Sequence, residues 1–583
     1  MLTSIIPEWT TTLLLPFSTA FLYAFSLILF LLPGFAISAV IASRRELRAI
    51  DSVILSISSS AVLGYVAFWV YLLSKVLGEI FSYTVVFSSV LTLALTLWRV
   101  RGLKNLGKQI ARPFAYVLVV GIFYSYLFFL FTNPLKAPFE LANFRFFQEV
   151  RPGDNLIPLF FAEKIYDRQP VSPVCCGDWL SSDRPPLQVG IFLLQRPIRF
   201  FGNTGLQYLL LAIALQCLWL AGVCSVLWVL QASTLYTQQV LGFLVFSGFF
   251  FYNSVYTWPK LLAATFILFA VSLLLGASEK SKLTMLETVL IAVCFSLALL
   301  AHSGAIFSTP GFLLLFLMKR LRVSWQACAC ALLLIGFFLL PWMAYQRFYD
   351  PPGNRLLKMH LADAGEIDSR STWQAIHEAY ASRTVMTLLS YKWANLRTMF
   401  GPDPGAGFGV AEVVAATESR SGGLENSRIA QREYIWNAIG VLNAGWLTFL
   451  ACLVRRKKFN TLGGARLLLA AAALNLTVWC IVLFGPGQTF VAHSSYADII
   501  LLSLGLLSFL LTYIRRAVFL LWILQLVNFA IVWAGVKPTP LTPAQTPTFS
   551  PVLQWPLLIA GLICGIGLLW HFGQSYRTSL PAR

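Results

Sequence analysis

The sequence predicts an all-α polytopic membrane protein, a bundle of about 15 transmembrane helices joined by polar loops. Three observations carry that prediction. Apolar stretches near 20 residues recur along the whole 583-residue chain, and a helix of that length crosses a hydrocarbon core of roughly 30 Å with its backbone hydrogen bonds satisfied internally. Only 11% of the residues are charged, where a soluble domain carries roughly 25%, and mean hydropathy is +0.74. The basic residues stand in short clusters between apolar stretches, such as Arg44-Arg45, Lys319-Arg320 and Arg455-Arg456-Lys457-Lys458. The net charge of +19 therefore reads as the Lys and Arg excess of cytoplasmic loops and not as a nucleic-acid surface. The 18 Trp suit aromatic belts at the two membrane interfaces.

Taken in order, the expected spans are 15–41, 51–75, 82–98, 114–132, 205–230, 238–252, 260–276, 285–301, 308–319, 324–346, 434–453, 465–485, 496–513, 517–535 and 554–571. The ninth is short for a full crossing. The first apolar run is too long for a cleavable signal peptide and has no basic leader. Basic clusters follow the first, third, seventh, ninth, eleventh and thirteenth spans. These are alternate loops, so the charge pattern expects them on the cytoplasmic side, with the N-terminus outside and the C-terminus inside. Loops 133–203 and 347–433 then lie outside, together with Lys260, His302 and His493.

Within the outer loops, apolar residues at helical spacing predict interfacial helices over 155–167 and 188–201, and further helix over 370–400. Residues 402–424 are Gly-rich, and 537–551 read as a Pro/Thr-rich linker. Of ten Cys, most fall within spans and read as small buried hydrophobes. Cys175 and Cys176 are neighbours in the polar loop and read as two free thiols, since a disulfide between adjacent residues is strained.

The groups suited to chemistry cluster in the first long loop. Asp154 opens the 155–167 helix; it reads either as that helix's N-cap or as a general base at the membrane surface. In Asp183-Arg184-Pro185-Pro186-Leu187 the two prolines restrict the backbone beside a carboxylate and a guanidinium able to fork onto phosphate. That stretch reads equally as a solvated turn. Asn155 and Asp178 are further polar candidates. Lys260 follows Tyr256-Thr257-Trp258-Pro259 and is either a snorkelling lysine or a second phosphate contact. His302 in Leu300-Ala301-His302-Ser303-Gly304, and His493 and Tyr496 in His493-Ser494-Ser495-Tyr496, complete the set. Asp350-Pro351-Pro352-Gly353-Asn354-Arg355-Leu356-Leu357-Lys358-Met359-His360 is a rigid turn entering a basic helix; it reads either as a cover over an anionic lipid headgroup or as a surface turn with an interfacial helix. No residues have metal-ligand spacing, and no phosphate-cradling loop of a nucleotide-driven pump is present in the sequence.

An outer loop with an acidic residue heading a helix, then Gly177-Asp178-Trp179, then a charged pair before Pro-Pro-Leu, resembles the GT-C superfamily of membrane glycosyltransferases. The resemblance is to its protein O-mannosyltransferase and lipid A aminoarabinose transferase branch, and covers roughly residues 114–515. It implies a catalytic core over 114–515, three added helices in 1–113, and C-terminal helices with a short cytoplasmic tail over 516–583. It implies a polyprenyl-phosphate-linked sugar as donor, a lipid, glycan or protein as acceptor, and a bacterial plasma membrane with the site on its outer face. Asp154 then stands as the catalytic base with Asp183 beside it, and Arg184 and Lys260 as the cations on the donor phosphate. Asn155 stands where the family commonly has Glu, and Asp183-Arg184 where Glu-Lys is common. These departures leave the donor and any divalent-metal requirement undecided; no other cofactor is implied. A flippase of a lipid-linked saccharide and a non-catalytic envelope scaffold are the alternative readings.

Overall fold

The computed structural model describes residues 8–44, 46–99, 103–130, 142, 146, 154–175, 177–198, 203–277, 282–401, 421–454, 464–486, 495–534 and 554–577. These residues are almost entirely helical and include no strand; one isolated bridge joins Lys282 to Arg322. Eleven helices are long and apolar enough to cross a membrane, or 12 if a bent pair counts as one span.

The N-terminal part consists of α1 (Glu8–Arg44), α2 (Ala49–Leu73), α3 (Lys75–Arg99) and α4 (Leu103–Phe129). Two shorter helices follow, α5 (Ile157–Tyr166) and α6 (Leu187–Gln195). Helices α7 (Thr204–Cys217) and α8 (Trp219–Val229) together form one span. The bent pair is α9 (Thr234–Val245) and α10 (Gly248–Val255), which meet at 67°. The single span expected over 238–252 is therefore broken. Just past the break, a Cβ on Gly248 would stand 2.0 Å from the Trp533 Nε1, so the indole packs directly on backbone.

Helix α11 (Lys260–Gly276) is at the centre of the bundle, buried from Lys260 to Leu275. Its sequence is apolar on every face, which is the pattern of a helix surrounded by protein. It packs between α8 and α12 (Met285–Ala301). Helix α12 starts with a capping box in which Thr284 Oγ1 accepts from Glu287 N and Glu287 Oε2 accepts from Thr284 N. Then come α13 (Thr309–Met318) and α14 (Trp325–Ala344). A helical hairpin region follows: α15 (Arg355–Ala362), α16 (Thr372–Ala381), α17 (Val385–Phe400) and α18 (Ser421–Glu433). Helix α19 (Ile435–Ile439) leads into α20 (Ala444–Val454). The last spans are α21 (Ala465–Val482), α22 (Tyr496–Tyr513), α23 (Arg515–Phe529) and α24 (Gln554–Arg577).

Loops that the charge pattern groups together do meet at one end of the bundle. Arg48 reaches Glu287 at 2.9 Å, Arg112 reaches Thr234 at 2.9 Å, and Lys282 bridges to Arg322. The loops grouped on the other side meet at the opposite end, where Tyr166 donates to Glu79 at 2.6 Å and Tyr83 to the Pro197 carbonyl at 3.2 Å.

The helices expected over 155–167 and 188–201 exist as α5 and α6, but they do not lie on an interface. Every residue of α6 is buried, and α6 packs along α2. The helices approach closely because both carry glycine: a Cβ on Gly190 would be 2.2 Å from the Gly64 carbonyl oxygen. Arg196, within the 188–201 stretch, is buried in a two-pronged pair with Glu163 at 2.6 and 2.9 Å. The 370–400 expectation is met by α16 and α17, whose Trp373, Val385, Met386, Leu389 and Trp393 form exposed apolar surface. Residues 402–420 and 537–551 lie outside the described residues, and the last part of the Gly-rich stretch is already helix α18.

Candidate functional site

The site forms where the 154–186 segment, the 256–260 turn and α15 meet. Asp154 does not cap α5. The cap position is Leu156, with no side-chain bond, and Pro158 in the first turn removes one donor that would need a cap. The Asp154 carboxylate turns instead to Arg184, which donates from Nη2 to Oδ2 at 2.6 Å; each side chain is 15% exposed. This pair joins the two ends of the loop, 30 residues apart in sequence.

The Arg184 guanidinium lies over two indoles, Trp179 at 4.7 Å and Trp258 at 5.5 Å. The Trp258 ring also carries the Lys260 ammonium at 4.1 Å and packs edge-on to His302 at 5.5 Å. Lys260 lies 4.8 Å from the Tyr496 ring, and Tyr496 donates to Asn253 Oδ1 at 2.9 Å. Lys260 is the first residue of the central helix α11, so the partial positive charge of the helix N-terminus adds to its own. Asp154, Arg184, Lys260, His302 and Tyr496 are thus brought together, with Trp258 as the shared wall. His493 lies outside the described residues.

Asn155 is buried next to the pair. Its carbonyl accepts from Tyr208 at 3.1 Å, and Tyr208 in turn accepts from Gln188 at 2.9 Å. Asn155 Oδ1, Asp154 Oδ1 and Arg184 Nε are buried with no hydrogen-bond partner among the described residues. Unmet donors and acceptors cost free energy when buried, and a ligand that paired them would recover it.

Asp178 and Asp183 do not join this cluster; both are held by Arg355. Arg355 grips the exposed Asp178 carboxylate at 2.8 and 3.0 Å and lies 3.5 Å from Asp183 Oδ2. Asp183 Oδ2 also accepts from the Leu180 N–H at 3.0 Å. Burial raises the Asp183 pKa from the usual carboxylate range, against the lowering pull of that N–H and of Arg355 and Arg184.

Four further residues border the site; Asp350, His360 and Tyr256 fall in stretches that stand out in the sequence, and Arg432 does not. Asp350 accepts from Ser172 Oγ at 2.6 Å, Ser181 Oγ at 2.5 Å and Ser182 N at 2.9 Å, which fastens the loop carrying Arg184 to the end of α14. Arg432 on α18 lies over Tyr252 and Tyr256, at 5.1 and 4.6 Å. Tyr256 is raised in pKa chiefly by burial and also by the charge of Asp154, with Arg432 and Arg184 pulling the other way. His360 on α15 is pushed down to about 4, chiefly by burial and further by the charges of Arg184 and Lys260. The Asp-Pro-Pro-Gly turn was a signal for Asp350; a single Arg beyond a Gly-rich stretch gave none for Arg432.

The cluster thus holds three cations, Arg184, Lys260 and Arg432, around one carboxylate, Asp154, with His360 favoured neutral. Aromatic rings line it, and the low local polarity raises the worth of each charge. It is electrostatically suited to an anion. Among the described residues no group of His, Cys, Asp and Glu could hold a metal ion. No protein-family model, curated protein or solved structure matches the chain.

Proposed function

We propose that the chain is a GT-C-like membrane glycosyltransferase that moves a sugar from a polyprenyl-phosphate donor to an acceptor at the outer membrane surface. One observation carries the reading: Arg184 is held between two tryptophans beside Asp154, with a buried donor left over, and Lys260 shares the same wall. The donor phosphate would take Arg184 from Asp154, with Lys260 as second cation. This exchange frees Asp154 Oδ2 at the moment it is needed. The acceptor then loses its proton to Asp154 as its oxygen or nitrogen attacks the anomeric carbon. The bond from that carbon to the phosphate oxygen breaks, configuration inverts, and the lipid phosphate leaves stabilised by the two cations. Taking the bent pair and the three shorter apolar helices as spans alongside the 11 gives the 15 that the sequence predicts.

The bent α9–α10 pair favours a second reading, because broken helices are a feature of transporters that carry a substrate across the bilayer. Both readings are tested in bilayer discs and sealed vesicles against a panel of polyprenyl-phosphate sugars. A transferase yields glycosylated acceptor, and Asp154→Asn abolishes the product while donor still binds. Sugar lipid that crosses vesicles without any product, unchanged in Asp154→Asn, would establish the flippase instead.

A further inference from the structure

A cavity of about 500 Å³ lies at the opposite end of the bundle, between α1, α3 and α4. Leu31, Phe35, Leu93, Leu97, Gly107 and Phe114 are among its walls, and nearly all of its lining is carbon. Among the described residues, helices α3 and α4 both pack closely on α1 and much less on each other, so α1 forms the back wall and the gap between α3 and α4 is the mouth. Phe35 and Phe114 meet edge to face at 4.9 Å. A side chain on Gly107 would find nothing within 4 Å. The volume is within the roughly 300–1,000 Å³ of small-ligand pockets, and the shape suits a hydrocarbon chain.

The three helices that line the cavity all end or begin there in basic residues. Arg44 closes α1 and Arg99 closes α3, both exposed. Lys104, Lys108 and Arg112 fall in the first turns of α4. Four or more basic residues next to a membrane-spanning helix attract anionic headgroups. We infer that this cleft is a binding site for one anionic glycerophospholipid, with an acyl chain between α3 and α4 and the phosphate at its basic end, beside Arg44 and Arg99. It lies at the end that the charge pattern expects in the cytoplasm, away from Asp154 and Arg184, and is independent of the proposed transferase reaction.

The test is native mass spectrometry of the full chain released from vesicles of equal phosphatidylglycerol and phosphatidylcholine. One retained lipid per chain, predominantly phosphatidylglycerol, is expected. The preference drops about 30-fold in Arg44→Gln/Arg99→Gln, each basic residue near an anionic surface being worth roughly a factor of five. Gly107→Leu and Ala115→Phe fill the cleft from positions with room around them and abolish retention of either lipid. Equal retention of both lipids by the wild type, a preference that survives loss of both arginines, or retention in the filled variants would each overturn the proposal.

Discussion

Arg184 and Arg355 both pack over the Trp179 ring, at 4.7 and 5.4 Å, yet they use their donors differently. Arg355 is saturated. Its Nε donates to the Gly365 carbonyl at 2.8 Å, its Nη1 to the Asp178 carbonyl at 3.0 Å, and its Nη2 to both Asp178 carboxylate oxygens. Arg184 makes one hydrogen bond, to Asp154, and keeps a buried Nε without a partner among the described residues. A guanidinium offers five donors in a fixed fork. One that spends them on its own chain is a latch; one that is buried and keeps them is prepared for a ligand. Arg355 holds the loop in place, and Arg184 is what the loop presents.

Substitutions can break this contrast. Asp154→Asn has the largest expected effect, a loss of about 10²–10⁴-fold in transfer rate with donor affinity retained, as expected for a general base. Arg184→Gln weakens donor binding and transfer by about 10²-fold or more, the scale of a lost charge-stabilising donor. It also leaves Asp154 buried and unpaired, at a cost to thermal stability of about 3–5 kcal/mol. Arg355→Gln should do the reverse: it lowers the melting temperature and leaves donor affinity within about twofold, because only the latch is lost.

A pH series sharpens the same contrast. His360 is held neutral beside Arg184 and Lys260, with its pKa lowered to about 4. The unfolded chain takes up a proton near the ordinary histidine value of about 6.5, and the folded chain only near 4. Stability from this group is therefore complete above pH 6.5 and is lost as pH falls towards 4, by an amount on the order of 3 kcal/mol. Melting curves of His360→Gln should show a smaller loss over that interval than the wild type. The smallest effect belongs to Asp178→Asn, which removes an exposed partner and should shift stability by at most about 1 kcal/mol.

Much of the architecture is legible in the sequence because hydrocarbon imposes it. The length and apolarity of the runs mark the spans, and the basic clusters separate the two ends. The same rule fails for α5 and α6. A short apolar helix with arginines beside it reads as interfacial, but Arg196 finds Glu163 through a tertiary contact that spacing does not reveal. The 67° break is equally hidden, since no proline or glycine pair marks it in the sequence. In the site, Asp154, Arg184 and Lys260 are legible as unusual charges beside apolar spans. Which carboxylate pairs with which arginine is not, and Asp183 and Asp178 go to Arg355 for reasons of three-dimensional position alone.

The most direct test of the central claim is a binding titration of a polyprenyl phosphate into the protein in bilayer discs, with wild type, Arg184→Gln and Arg355→Gln side by side. The account predicts that Arg184→Gln loses at least tenfold in affinity while Arg355→Gln, though less stable, binds as the wild type does. Equal affinity in Arg184→Gln and the wild type, or a loss confined to Arg355→Gln, would contradict it.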